Sequence, residues 1–360
     1  MTTRSLPRIL GAALIGAVIV VILSIKLNAF RDYQIAEIAV YVTAISGLTI
    51  LTGLSGQISL GNGAFMLIGA YTSALLLLHL SNWPFVVTLV IAAVVSAVAG
   101  GIVGAAAARL HGPYLAGVTL MLGVALPALA YAYPGIFGGD QGLNVTYTTP
   151  GFLGPNFPLT RWQAWICSAV ALGTLVLLAN LGRSRVGRNW RAVRDDEVAA
   201  ALSGVNVARA RVLAFVVSAT CAGMAGALLA VITALVAPGA FTITLSIALL
   251  TGAVIGGLGT LLGAIWGSLV IVLVPVYATD VATSHGLSTT VASNIPVAAY
   301  GVVLILVMLI FPQGIQGGVL WLLRLFGISA ARPSRQASTP DAMPSAGETP
   351  ARPHEKEGTQ

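Results

Sequence analysis

The chain is 360 residues long, 57% hydrophobic, only 8% charged, rich in glycine (41 residues) and carries a formal net charge of +7. This lies well outside the range of soluble domains and makes the chain an integral membrane protein. Its basic residues are nearly all arginines that gather between apolar runs, so membrane topology accounts for them and no nucleic-acid partner is called for.

The apolar runs are long and continuous, without the ten-residue alternation of barrel strands, so helices are expected to satisfy the backbone in lipid. In chain order they fall near residues 9–25, 35–53, 60–80, 85–108, 114–133, 162–180, 211–234, 242–256, 261–279 and 295–311. The first follows Arg4 and Arg8 and has the flanks of a secretory signal, with Leu27-Asn28-Ala29 as a poor cleavage site; the many spans behind it favour an uncleaved span. The segment 242–256 is short for about 30 Å of hydrocarbon, and a re-entrant course there would lower the number of spans. The expectation is an all-α polytopic helical bundle of about 8–10 transmembrane helices. With the N-terminus in the cytoplasm, Lys26, Arg31 and Arg161 fall outside, and all the rest of the 18 lysines and arginines fall on the cytoplasmic side or in the tail. The positive-inside rule therefore puts both termini in the cytoplasm.

Two glycine-rich interruptions stand out. The first, Gly53 to Gly63, carries Gln57, Ser59 and Asn62, more polar than helix packing requires; in transporters such breaks supply polar groups near the midplane, and these three are candidates for a translocation pathway. The second, Gly252 to Gly263, reads more simply as close packing through small residues. Between them, the loop 134–161 holds Gly138, Gly139, Asp140 and Gln141, a candidate docking surface or lid, or a glycine turn in which Asp140 caps a neighbouring segment.

The most polar stretch is 181–211. Arg183, Arg185, Arg188, Arg191 and Arg194 are followed at once by Asp195, Asp196 and Glu197. From Trp190 to Arg211 it reads as a short helix, with acids in the first turn, Ala199, Ala200 and Ala201 favouring helix, and Gly204 ending it. Val193, Val198 and Leu202 add modest apolar contacts. An interfacial helix held by anionic lipid would need the arginines alone; the mixture of acid and base favours insertion into a partner protein. A transmembrane domain over 1–328, with this loop at 181–211, and a disordered cytoplasmic tail over 329–360 complete the organisation.

Several chemistries are missing from the sequence. There is no phosphate-binding Gly-x-x-x-x-Gly-Lys-[Ser/Thr] loop, so ATP hydrolysis by that route is excluded. The four histidines are scattered, the two cysteines lie inside apolar spans, and neither a catalytic site, a metal site nor a cofactor is expected. Glu37 is the only acid inside an expected span; snorkelling or pairing with Arg31 explains it, while a lone ion-coupled transporter would use it as the coupling carboxylate.

The stretch Ser184-Arg185-Val186-Gly187-Arg188-Asn189-Trp190-Arg191-Ala192-Val193-Arg194-Asp195-Asp196-Glu197-Val198-Ala199-Ala200, with Gly204-Val205-Asn206 and Arg211-Val212-Leu213-Ala214-Phe215, resembles the coupling loop of branched-chain amino-acid ABC transporter permeases of the LivM type. Three further matches follow in family order: Gly53 to Gly61 with Ala64-Phe65 and Gly69-Ala70-Tyr71; Gly138 to Leu143; and Gly252 to Thr260. Together they span roughly residues 35 to 320. Two departures are visible. Asn62 stands where the family commonly has histidine, which removes a titratable ring, and Arg211 stands where lysine is frequent, which keeps the charge.

The resemblance implies an ABC importer permease fold in a bacterial plasma (inner) membrane. It implies pairing with a second permease of the LivH type, two separate ATPase subunits that bind the ATP, and an extracytoplasmic substrate-binding protein. Coupling to the ATPase would run through Arg191, Arg194, Asp195, Glu197, Ala199, Ala200 and Gly204, and Gly138 to Gln141 would face the binding protein. Urea and short-chain amide importers have similar permeases, so the cargo stays open between these and branched-chain amino acids.

Overall fold

The computed structural model describes residues 6–26, 28–79, 84–109, 113–145, 147, 149, 157–284, 289–311 and 314–325. The expected tail, 329–360, lies outside the described residues, as does much of the loop before residue 157. The helices are α1 (Leu6–Lys26), α2 (Ala29–Leu48), α3 (Asn62–His79), α4 (Phe85–Ala107), α5 (Pro113–Ala132), α6 (Pro134–Phe137), α7 (Leu159–Arg183), α8 (Arg185–Asp195), α9 (Glu197–Leu202), α10 (Val207–Thr233), α11 (Ile243–Gly256), α12 (Gly263–Ser284), α13 (Thr289–Ile310) and α14 (Gly314–Leu325). Among the described residues, eight helical stretches are long and apolar enough to cross a membrane. The fold is an all-α, multi-pass membrane bundle.

Its centre is built from α2 and α10, the most buried of the long helices. They run in opposite directions. Gln57, just past the end of α2, reaches the backbone of Arg211 near the start of α10. At the other end α7 ties the start of α2 to the end of α10, through an Arg161–Asp32 ion pair at 3.7 Å and a bond from Gln163 to the Val231 carbonyl at 2.7 Å. Around this pair the neighbours repeat. α3 packs on α4 and α10, while α11 packs on α12 and α2; α4 covers α10 as α12 covers α2; α5 meets α3 as α13 meets α11. The chain therefore contains two copies, α2 to α5 and α10 to α13, of one arrangement in opposite sense.

Close packing at the centre depends on missing side chains. A Cβ on Gly69 of α3 would overlap the Gly223 carbonyl of α10, and one on Gly223 would overlap the Ser96 hydroxyl of α4. Small residues let helix backbones approach where lipid gives no hydrophobic push between them.

The shortness of 242–256 and the close packing at 252–263 expected from the sequence both hold, and the pairing of Glu37 with Arg31 does not. α11 has 14 residues, about 21 Å at 1.5 Å per residue, too short to span about 30 Å alone. The internal repeat matches the break at 55–61 with residues 234–242, not with the glycine run at 252–263: α11 continues through Gly252 to Gly256, and only the turn after it is non-helical. Residues 234–242 link the expected spans 211–234 and 242–256: Ala234 turns the chain at φ 55° and β2 (Leu235–Val236) pairs antiparallel with β1 (Leu143–Asn144). Finally, Glu37 and Arg31 form no ion pair; Arg31 is exposed, and it is Asp32 that meets an arginine, Arg161.

Candidate functional site

The stretch expected to be one short helix from Trp190 to Arg211 is two helices and the start of a third. α8 ends at Asp195 because Asp196 takes extended backbone, φ −156° and ψ 112°, and its carboxylate accepts the Ala199 N–H at 2.9 Å, capping α9. Asn206 caps α10 in the same way, accepting the Arg209 N–H at 2.9 Å. An aspartate or asparagine at these positions supplies the acceptor that a helix start lacks, so each one begins a new helix rather than continuing the old. Gly204 lies between them at φ +82°, with open space where a Cβ would stand.

α8 is pinned from below. Its buried face is Gly187, Trp190 and Val193, and Trp190 is wholly enclosed, its indole N–H donating to the Ala210 carbonyl of α10 at 2.8 Å. Arg191 donates to the Gly182 carbonyl at the end of α7 at 2.9 Å. Arg194 reaches further: its Nη1 donates to the Gly53 carbonyl at 2.6 Å, while Nε and Nη2 hold Asp195 at 3.0 and 2.8 Å. Glu197, at the start of α9, pairs with Arg211 of α10 at 2.6 Å. Ala200 turns inward, and Ala199 is exposed. Val198 and Leu202, one turn apart on α9, project outward with 69% and 86% of their surface exposed.

Arg194 ends on the first glycine break. α2 passes into a π-helical turn over Thr49–Leu54, and the hydroxyls of Thr49 and Thr52 bond back to carbonyls four residues earlier at 2.8 and 2.7 Å. Such turns widen a helix and leave carbonyls free to take other donors, the position Gly53 occupies. Gly56 follows at φ +72°, a conformation open to glycine, and a Cβ there would sit 2.7 Å from Cγ of Arg194. Between Ser55 to Ile58, the start of α5 at Leu115 and Ala116, the α8–α9 junction and Arg211 lies a cleft of about 630 Å³.

The three polar residues of the break all point inward. Gln57 donates to Ser55 Oγ at 2.6 Å, and its Oε1 has no partner. Ser59 accepts the Gly61 N–H at 3.3 Å. Asn62 opens α3 and is fully buried; its Oδ1 lies 3.5 Å from Ser218 Oγ of α10, and its Nδ2 has no partner. Next to it the Gly63 N–H donates to Ser246 Oγ of α11 at 2.9 Å. Ser218 and Ser246 carry no signal in the sequence, since single serines inside apolar runs look like packing residues.

At the opposite end, Gly138 at φ 75° closes α6, Gly139 to Gln141 form a 3₁₀ turn, and β1 follows. Asp140 and Gln141 are exposed; Gly139 is buried beside Pro134. Asp140 caps no neighbouring segment among the described residues. The ring of Phe137 meets Tyr71 of α3 edge-on at 5.1 Å, tying this turn to the bundle.

The chain over residues 30–312 matches the family described as branched-chain amino acid transport system / permease component. It belongs to that family. The permease is similar to the LivM high-affinity branched-chain amino acid transport system permease protein of Salmonella typhimurium, 33% identical over 257 residues, covering 65% of this chain and 60% of the relative. It is 28% identical to LivH of the same organism over 290 residues, 77% of this chain and 91% of the relative. A shorter match, 34% over 137 residues, joins it to BraD of Pseudomonas aeruginosa, over 38% of this chain and 41% of the relative. The match thus spans about 60% of the length of the LivM relatives. No solved structure matches the chain significantly. The residues of 181–211 and of the break at 53–63 all lie inside the matched region.

Proposed function

We propose that this permease is the membrane subunit of an ATP-driven importer for branched-chain amino acids. It pairs with a second permease and takes its solute from an extracytoplasmic binding protein. The end carrying α8 and α9 faces the cytoplasm, where the arginines concentrate. There α9 offers Val198 and Leu202 to an ATPase subunit, as an apolar ridge that fits a partner's groove. The observation that carries the reading is the Arg194 contact. One side chain joins the helices that would meet the ATPase to the Gly53 carbonyl at the break in α2, 141 positions away. Movement of α8 and α9 would thus be felt at the segment holding Gln57, Ser59 and Asn62, the path of the solute in this proposal. Gly138 to Gln141, at the opposite end, would face the binding protein.

The test has two arms. Tagged permease purified in mild detergent from its native membrane is expected to bring with it a phosphate-loop ATPase and a second permease. Cells lacking this chain are expected to lose high-affinity leucine uptake. Retained leucine uptake with lost urea or acetamide uptake would move the cargo to that class. Recovery of the chain alone, from an extract in which other complexes survive, would overturn the importer reading.

A further inference from the structure

We propose that the junction of α3 and α11 is a carboxylate-binding point, with the Asn62 amide as its side-chain donor. The inference rests on the importer reading and narrows it, since urea and simple amides carry no carboxylate.

Both helices begin inside the bundle, each directly after an interruption of α-helix, 55–61 for α3 and 234–242, which includes a 3₁₀ turn over Pro238–Phe241, for α11. Their first turns lie side by side. The Gly63 N–H donates to Ser246 Oγ at 2.9 Å, and a Cβ on Gly63 would stand 3.5 Å from the Thr242 carbonyl that precedes α11. Two helix N-termini, each equivalent to roughly half a positive charge, are therefore brought to one place. No acidic residue occurs in 55–79 or in 234–263 to compensate them.

The second observation is independent of the helix ends. Asn62 is 0% exposed, and its Nδ2 has no hydrogen-bond partner. A buried amide donor of this kind is rarely left without an acceptor. Its other atom, Oδ1, is at 3.5 Å from the Ser218 hydroxyl, a long contact. An acceptor-only group with spare lone pairs, which is what a carboxylate is, answers the free Nδ2 donor and the paired helix N-termini; an ammonium group, a donor only, answers neither of these. Ser246 then stands in for one carboxylate oxygen at the Gly63 N–H while the site is closed. From Asn62 the non-helical segment leads through Ser59 to Gln57, which lines the cleft of about 630 Å³ at the α8–α9 end. That cleft is the release side of the point.

The experiment uses the assembled transporter with its partner subunits in proteoliposomes. Asn62→Asp places a carboxylate where one is to bind, and leucine uptake is expected to fall at least 100-fold while ATP hydrolysis persists. Ser73→Ala, at a buried and unpartnered hydroxyl further along α3, should stay within twofold of the unaltered transporter. Because Asn62→Asp can fail to assemble, Asn62→Cys supplies a second measurement. During turnover its thiol is expected to react at least tenfold faster with an anionic than with a cationic methanethiosulfonate. Leucine should protect it, and leucinol, which lacks the carboxylate, should not. Background comes from the unsubstituted chain, whose Cys167 and Cys221 are buried. Undiminished leucine uptake by Asn62→Asp, equal rates with the two reagents, or no reaction in any state would each overturn the proposal. A transporter that carries acetamide but no leucine would overturn it and leave the importer standing. One that carries no solute in spite of its partners would fail the importer reading itself.

Discussion

Arg194 spends one guanidinium on two partners, the Gly53 carbonyl through Nη1 and Asp195 through Nε and Nη2. The planar fork allows both at once; a lysine ammonium, a point charge on a flexible stem, does not hold the same pair. A hydrogen bond from a charged donor contributes about 1.5–3 kcal/mol. Arg194→Ala is therefore expected to lower uptake on the order of tenfold, with ATP hydrolysis by the assembled complex retained. Arg194→Lys should recover little of the loss. Equal uptake by Arg194→Ala and the unaltered permease would show that the contact transmits nothing. The arginine itself was legible as part of a charged cluster, but its partner was not, because a backbone carbonyl leaves no mark in a sequence and lies 141 positions away.

At the scale of elements, the polar stretch works as two helices because Asp196 breaks and restarts it. α8 is held through Trp190, whose burial and bond to the Ala210 carbonyl fix it against α10. α9 is fastened by the Glu197–Arg211 pair, and its outer ridge is left uncovered. Val198→Asp combined with Leu202→Asp should leave the permease itself folded, since substitutions at exposed positions usually change stability by less than about 0.5 kcal/mol. Co-purification of the ATPase should nevertheless be lost, as a charge replaces the apolar ridge a partner would cover. Full recovery of the ATPase with the double variant would remove α9 from the docking surface. The split into two helices was open to prediction from Asp196 and Asn206 as capping residues. The run of helix-favouring alanines masked it, because intrinsic propensity says nothing about where one helix stops and the next begins.

For the whole molecule, the two inverted copies meet along α2 and α10, and the approach of α3, α4 and α10 at Gly69 and Gly223 sets how tightly they close. Neither glycine has room for a side chain. Overpacking a well-filled interior costs about 1–3 kcal/mol and sometimes more. Gly69→Leu, which meets backbone and not a flexible side chain, belongs at the upper end of that range. The expected result is loss of monodisperse protein in detergent and a lower thermal midpoint, measured beside Gly117→Leu on α5, where a Cβ meets nothing within 4 Å. Equal behaviour of the two variants would contradict the crossing described here.

The sequence by itself determined the membrane class, nearly all the long helices, the first break with Gln57, Ser59 and Asn62, and the charged loop with its resemblance to a permease family. These follow from local quantities: an apolar run long enough for the bilayer, polar residues where apolar ones would do, and charge confined to loops. Only the tertiary structure decided which break answers which. The glycine run at 252–263 reads as close packing, and it is Ala234 and the β1–β2 pairing that make 234–242 the counterpart of 55–61. The same holds for Ser246 beside Gly63, and for Arg194 on the Gly53 carbonyl. Hydropathy reports how each segment meets lipid, whereas these contacts depend on how helices far apart in the chain are oriented against one another. That orientation is set by the sum of many small packing contacts and by no single residue.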